Sequence, residues 1–358
     1  MPPTSLPPKP TSAPITANLA QLLLAWYGSH GRDLPWRAQS GVAADPYRVW
    51  LSEIMLQQTS VATVRRRFAD FTARWPDLAS LAAAPQADIM AAWAGLGYYA
   101  RARNLIACAQ ELVAHHGGQF PASEAELRRL PGIGDYTAAA IAAFAFGHHA
   151  VVVDANVERV VARLFAIAAP LPGARAQIRT HMAQITPAQG AGDFAQAMMD
   201  LANGVCTPRA PGCGACPLRT ACRAALSGRA GAFPVKLPKK ARPQRFGTAF
   251  WLEDKGRVLL VRRPPRGLLG GMRALPTGPW QDTPPGLANA PREGADWRLT
   301  GDVVTHVFTH FRLELALAVG RANGHVEQND GEWWPVAALD SAGLPTLFAK
   351  IESIGRAR

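Results

Sequence analysis

Apolar residues recur at intervals of three and four from Asn18 to about Ala225, in segments dominated by Ala, Leu and Arg. That spacing predicts amphipathic helices. Pro and Gly interrupt it at Gly31, Pro46, Pro76, Pro85, Gly117, Pro131 and Pro172, dividing the stretch into about ten short helices with no strand. The character then changes. Gly228 to Arg245 carries Arg229, Lys236, Lys239, Lys240, Arg242 and Arg245, together with Pro234, Pro238 and Pro243, and no acidic residue. An extended basic linker is predicted there. β-branched or alternating runs follow at Gly247–Leu252, Arg257–Arg262, Asp302–Phe308 and Leu313–Val319, and a helix is expected near Leu344–Ile354. The predicted chain is multidomain: a disordered tail over 1–16, an all-α domain over 17–227, the linker over 228–245 and an α+β domain over 246–358.

Composition narrows the function. A chain of 358 residues is comfortable as two domains. Its net charge of +12 and pI of about 10.1 point to a polyanionic partner, nucleic acid first and an anionic membrane surface second. No run of about 18 uncharged apolar residues is present, so no membrane-spanning segment is expected. Met1 to Pro14 lacks the basic and apolar regions of a signal peptide, and a cytoplasmic, nucleoid-associated protein is expected.

In that reducing setting the cysteines change the picture most. Four of the five follow Cys206-x6-Cys213-x2-Cys216-x5-Cys222, and Cys108 stands apart, where a buried structural thiol is expected. Four thiolates in one short loop make a metal cage, which suits zinc or a cubane iron–sulfur cluster alike.

Four further segments carry candidate chemistry. In Leu130-Pro131-Gly132-Ile133-Gly134 the glycines let backbone approach another surface, and the helix starting near Asp135 or Tyr136 directs free N–H groups outward, which favours a phosphate. A plain helix–helix turn explains the same residues. Val151 to Val153 delivers Asp154 to the start of the next helix, where it would also serve as an N-cap. Trp50 to Thr59 is a helix with one acid, Glu53, in an apolar stretch. Buried, that carboxyl would have a raised pKa suited to a general acid; on the polar face it would be an ordinary exposed Glu. Leu96 to Leu105 offers tyrosines that could stack on bases and arginines that could meet phosphates, or a simple helix start.

The cysteine spacing resembles the 4Fe-4S loop of the endonuclease III superfamily. SEIMLQQT (52–59), GLGYYARARNL (95–105), LPGIG-x-YTA (130–138) and VDANV (153–157), in this order before the cysteines, resemble the MutY family of adenine DNA glycosylases over Leu19 to Cys222. The resemblance implies a helix–hairpin–helix enzyme acting as a monomer on duplex DNA that carries adenine opposite 8-oxoguanine or guanine, with room for protein partners in base excision repair. It implies that Glu53 protonates the departing adenine, that Asp154 stabilises the oxocarbenium-like sugar or traps it covalently, and that Tyr136 and Asn156 orient them. Gln58 and Tyr98 would wedge into the duplex. Thr59, Leu96, Gly132 and Gly134 would also meet DNA, and Cys206, Cys213, Cys216 and Cys222 would hold the 4Fe-4S cluster. Strand-cleaving members carry lysine where Tyr136 stands, and a phenol cannot form an imine, so a monofunctional enzyme is expected. Some relatives have lysine at the position of Glu158, which puts a backbone contact there in doubt.

In the second domain, Thr305 to Phe311 is placed in a strand and resembles the Phe-Ser-His loop that reads 8-oxoguanine, here Phe308, Thr309 and His310. Gly267 to Met272 resembles the same domain's Gly-rich loop. The implied fold is Nudix-like, but the REx2EE box is missing, so pyrophosphohydrolase activity is not expected. Two other readings compete: a bifunctional glycosylase/lyase, and a non-catalytic iron–sulfur DNA-binding protein.

Overall fold

A computed structural model describes residues 13–38, 44–238, 241–264, 267–291, 295–321 and 331–357. Contacts divide the chain into two units, one running up to Ala79 and including Cys108–Pro238, the other combining Ser80–Ala107 with Lys239–Arg358. The helices of the first part of the chain are α1 (Ala13–His30), α2 (Pro46–Leu56), α3 (Val61–Arg74), α4 (Leu78–Ala83), α5 (Gln86–Ala92), α6 (Ala100–His115), α7 (Glu124–Leu127), α8 (Asp135–Phe144), α9 (Ala155–Leu164), α10 (Arg175–Ile185), α11 (Ala191–Gly204) and α12 (Arg223–Leu226). None among the described residues is long and apolar enough to cross a membrane.

Helix α1 begins at Ala13, inside the stretch assigned to a disordered tail; residues 1–12 lie outside the described residues. Pro14 falls in its first turn, where a missing N–H leaves no intrahelical bond unmade. Helix α2 starts where Asp45 accepts the Tyr47 N–H, with proline at its first position. Apolar faces of α1, α9, α10 and α11 close one core, which includes Leu23, Val161, Ile178, Met182, Phe194 and Leu201. The four clustered cysteines pack against its edge.

The basic linker is shorter than predicted. Ala230 and Phe233 are buried in the helical core, and the Leu171 N–H donates to the Val235 carbonyl at 2.9 Å. The run of cations concealed an apolar anchor, because removing the Phe233 ring from water outweighs the surrounding charge pattern. Strand β1 then starts at Gln244; Lys239 and Lys240 lie outside the described residues.

The second unit is built on a mixed sheet of β1 (Gln244–Asp254), β2 (Arg257–Arg262), β3 (Arg273–Ala274), β4 (Arg298–Val307), β5 (Arg312–Arg321) and β6 (Glu332–Pro335). Its order is β3-β2-β1-β5-β4, with β6 pairing to β2. Strands β1 and β5 run parallel, Gln244 opposite Arg312 through Glu253 opposite Arg321; β4 returns antiparallel to β5. A bulge between Leu299 and Val303 uses Gly301 at φ 84°, a backbone conformation that disfavours other residues. Helix α13 (Thr346–Arg356) covers the sheet with Leu347, Phe348 and Ile351.

Candidate active site

Helix α2 carries Glu53 into the interior, where the residue is 6% exposed. Its surroundings decide between the two readings of the sequence: Leu51, Ile54 and Met55 are buried on the same helix, so the carboxyl has no polar face to occupy. Burial pushes the Glu53 carboxyl up to about 7. The Asp154 charge raises it further, while the Tyr136 hydrogen bond and Arg37 oppose the rise. The Tyr136 hydroxyl donates to Glu53 Oε2 at 2.8 Å. Burial, reinforced by Glu53 and Asp154, holds that phenol well above its usual range, so Tyr136 stays neutral and remains a donor.

Asp154 has a different environment. As N-cap of α9 it accepts the Asn156 N–H at 2.9 Å and the Val157 N–H at 2.7 Å through Oδ1. Its Oδ2 accepts Asn156 Nδ2 at 2.8 Å. The N-cap reading holds, and the bonds that start the helix also fix the carboxylate's direction. Arg159 donates to Asn156 Oδ1 at 3.2 and 3.3 Å, and to the carbonyls of Ala202 and Cys206, so the amide that orients Asp154 is itself held.

Glu53 also lies on the wall of a cavity of about 960 Å³, with Tyr27, Trp36, Arg37, Ser52 and Gln196 among its other lining residues. Neither Tyr136 nor Asp154 lines it. Arg37 was not visible as a site residue in the sequence. It is anchored by Asp200, which it grips at 2.7 and 2.8 Å while Arg32 donates to the same carboxylate through its backbone and Nε. These partners are separated by 163 and 168 positions, and no local spacing reveals them.

The hairpin between α7 and α8 exposes Gly132 and Gly134 around a buried Ile133. Gly132 sits at φ 76°, and Gly134 is the N-cap of α8 with no side-chain cap, which leaves the helix's first N–H groups for an outside acceptor. Gln58 and Tyr98 are both exposed and both left-handed, at φ 57° and 48°. Thr59 is half-buried and donates to the Gln57 carbonyl.

The structure corrects the expected DNA-contact set around Tyr98. Leu96 and Tyr99 are buried, so neither side chain is presented. The arginines expected to meet phosphates turn inward instead. Arg101 donates to the carbonyls of Leu96 and Gly97, and Arg103 to that of Gly270. Loop carbonyls without helical partners attract these cations more locally than a distant polyanion can.

The expected reading strand is also corrected. Strand β4 ends at Val307; Phe308 follows, and Thr309 and His310 form an exposed turn closed by the Phe308 N–H to the Phe311 carbonyl at 2.9 Å. Alternation continued past the strand because Phe308 and Phe311 both turn inward to pack on Trp280, at 5.6 and 6.0 Å between centroids.

Cys206, Cys213, Cys216 and Cys222 line one small cavity, closed by Val205, Pro211 and Ala230. Buried Arg163 donates to the Cys206 sulfur at 3.2 Å and to the carbonyls of Cys206, Thr207 and Pro208. Burial pushes the Cys216 thiol up to about 11, with the other three cysteines contributing in the same direction. By chemistry, four cysteines lining one cavity are a donor set for a thiolate-bound metal centre, which would itself draw off their protons. Among the described residues, no three His, Cys, Asp or Glu side chains are grouped to hold a metal ion. Cys108 is buried and its thiol is pushed up to about 12, an inert position.

The pattern of the HhH-GPD superfamily of base excision DNA repair proteins matches residues 51–184, and that of the NUDIX domain matches residues 248–353. The chain is 32% identical to the adenine DNA glycosylase of Mus musculus, over 92% of this chain and 76% of the relative. It is 40% identical to that of Mycobacterium tuberculosis, over 67% and 77% respectively. The chain belongs to the adenine DNA glycosylase family.

The human adenine DNA glycosylase is 36% identical over 81% of this chain, and the match spans 64% of the human protein's length. Among solved structures, a thermostable thymine-DNA glycosylase superposes with a TM-score of 0.54 at 27% identity, covering 60% of this chain and 97% of that one. An endonuclease III–DNA complex, at 22% identity and a TM-score of 0.50, shares the fold. In this adenine DNA glycosylase family member, no lysine occurs between Lys9 and Lys236. Glu158 is buried and accepts from Arg175 at 2.8 Å.

Proposed function

We propose that this chain is a monofunctional DNA glycosylase that hydrolyses the N-glycosidic bond of adenine opposite 8-oxoguanine or guanine in duplex DNA. The observation that carries this is Glu53: a carboxyl raised to about 7, on the wall of a cavity large enough for a base, with a neutral phenol donating to it. Such a group holds its proton near neutral pH and can pass it to a ring nitrogen as the base departs. The flipped adenine occupies the cavity, and its sugar stays outside, toward Asp154. The Asp154 carboxylate then faces the positive charge that develops on the sugar, the division of labour of paired carboxylates at a glycosidic bond. Tyr136 and Asn156 position the pair. Flipping costs a few kcal/mol, which Gln58 and Tyr98 offset by filling the vacated stack. The Gly132–Gly134 hairpin receives a backbone phosphate, and Thr59 supports Gln58 through its bond to the Gln57 carbonyl. Thr309 and His310, exposed on their aromatic base, read the oxidised guanine.

Cys206, Cys213, Cys216 and Cys222 would hold a 4Fe-4S cluster, which cross-links the loop that Arg159 and Arg163 join to α9. Imine chemistry is disfavoured by Tyr136 and by the lysine-free stretch from 10 to 235. The test is a labelled duplex with one adenine opposite 8-oxoguanine, incubated with the full-length protein and developed with and without alkali. Strand breaks only after alkali are expected. Breaks without alkali would overturn the monofunctional reading, and no breaks at all would overturn the substrate.

A further inference from the structure

The exposed ring of Tyr98 and the exposed tip of the β4–β5 hairpin belong to the same unit, and a continuous set of directed contacts runs from one to the other. Phe308 anchors the tip on Trp280, with ring centroids 5.6 Å apart and planes inclined by 25°. The Arg263 guanidinium lies 5.0 Å from the Trp280 centroid. Burial lowers the pKa of Arg263, and the side chain donates to the Leu268 carbonyl at 3.2 Å and to the Thr277 hydroxyl at 3.4 Å. Leu268 begins the turn that ends at Met272. There the Gly270 carbonyl accepts from Arg103 Nη1 at 2.8 Å, and the Met272 carbonyl accepts the Arg263 N–H at 2.9 Å.

Arg103 is in the first turn of α6, whose start carries Tyr98. The Arg101 N–H donates to the Tyr98 carbonyl at 2.8 Å, and the Arg103 N–H to the Tyr99 carbonyl at 3.2 Å. Arg101 and Trp93 Nε1 fix the preceding Gly97 carbonyl at 3.1 Å each. Tyr98 holds a left-handed backbone that a bulky residue adopts only when its surroundings impose it. The ring's direction is thus inherited from α6, and α6 is tied to the sheet through Arg103.

We infer that Arg103, through its bond to the Gly270 carbonyl, is a positioning residue that couples Tyr98 to the Thr309–His310 tip, so that the base opposite the adenine is gripped from both places as one rigid reader. The inference rests on the proposed reading of the opposite base. An arginine on a phosphate would affect every duplex alike. A positioning arginine affects the difference between two opposite bases, and its effect disappears when the tip has already lost its reading group.

The test uses the full-length protein in single-turnover excision of adenine opposite 8-oxoguanine and opposite guanine. Arg103→Ala is expected to lower the preference for 8-oxoguanine about tenfold while slowing excision opposite guanine less than twofold, from the usual size of such couplings. Arg103→Lys, which keeps a donor for the carbonyl, is expected to restore most of the preference. The double variant Arg103→Ala/His310→Ala is expected to be no worse than the more severe single change. Independent, multiplying effects, or an equal loss on both duplexes, overturn the coupling. A wild-type protein with no preference would overturn the reading of the opposite base instead. The coupling is then decided by amide hydrogen exchange in DNA-free protein. Arg103→Ala is expected to speed exchange both in 97–100 and in 267–272, and a change confined to one of them overturns the inference.

Discussion

The cavity around Glu53 and the tip of the β4–β5 hairpin hold their key groups in opposite ways. Glu53 is buried, and burial is what lifts its carboxyl to about 7. Thr309 and His310 are exposed, and only the residues beneath them are packed, Phe308 against Trp280 and Phe311. A group that must exchange a proton near neutral pH needs a low-dielectric setting to tune it. A group that must recognise a neighbour needs access and a rigid base. Substitutions should divide accordingly: changes of charge inside the cavity alter rate, and changes of packing under the tip alter choice of substrate.

The sharpest break in this comparison is Glu53→Gln. It keeps the volume and removes the proton, so excision is expected to fall by about 10³- to 10⁴-fold while the duplex still binds. Stability should move the other way. A carboxyl raised on folding is favourable below its ordinary 4.5 and loses that contribution as pH rises through about 7. At pH 8 the variant should therefore melt higher than wild type, by up to about 3 kcal/mol from the size of the shift, and at pH 4 it should not. Thermal melts at the two pH values check this.

Asp154→Asn comes next. Asparagine caps helices as well as aspartate does, so the melting temperature should hardly change. The charge facing the sugar is lost, and excision is expected to drop about 10²- to 10³-fold in single-turnover assays. A fall in rate accompanied by an equal loss of folded protein would return Asp154 to a purely structural cap.

Tyr136→Phe is smaller and diagnostic. The phenol's hydrogen bond favours the ionised carboxylate and so lowers the Glu53 pKa. Removing it should shift the alkaline limb of the rate profile upward by about one pH unit. A downward shift would mean that the hydroxyl serves the protonated acid instead.

The smallest effect on excision itself is expected from Phe308→Ala. Loss of the ring should loosen the tip and reduce the preference for 8-oxoguanine several-fold, with excision opposite guanine within about twofold, because the hairpin's packing and not the cavity is disturbed. Competition between the two duplexes in one tube measures it.

Much of this was legible in the sequence where chemistry is local. Four cysteines within one loop announce a shared ligand, and Asp154 after three valines announces a helix start. Glu53 was legible as a type and a position, but its burial depends on which side of α2 the rest of the chain covers. The anchoring of Arg37 by Asp200 was not legible, because the partners are 163 positions apart. Strand β3 spans only Arg273–Ala274 and β6 only Glu332–Pro335, both too short for an alternating pattern to register. The grouping of Ser80–Ala107 with the C-terminal sheet is a long-range property of the same kind. Phe233 shows the converse: one buried ring within a basic run turned half of an expected linker into core.

The central claim is that Glu53 delivers its proton from a pKa raised by burial. Single-turnover excision of adenine by the wild-type protein, measured from pH 5 to 9 on one duplex, tests it most directly. The rate should be level on the acid side and fall about tenfold per pH unit above about 7, the pKa of the buried carboxyl. A rate that stays level to pH 9, or that rises with pH, would contradict the account, because the acid that limits it would not be Glu53.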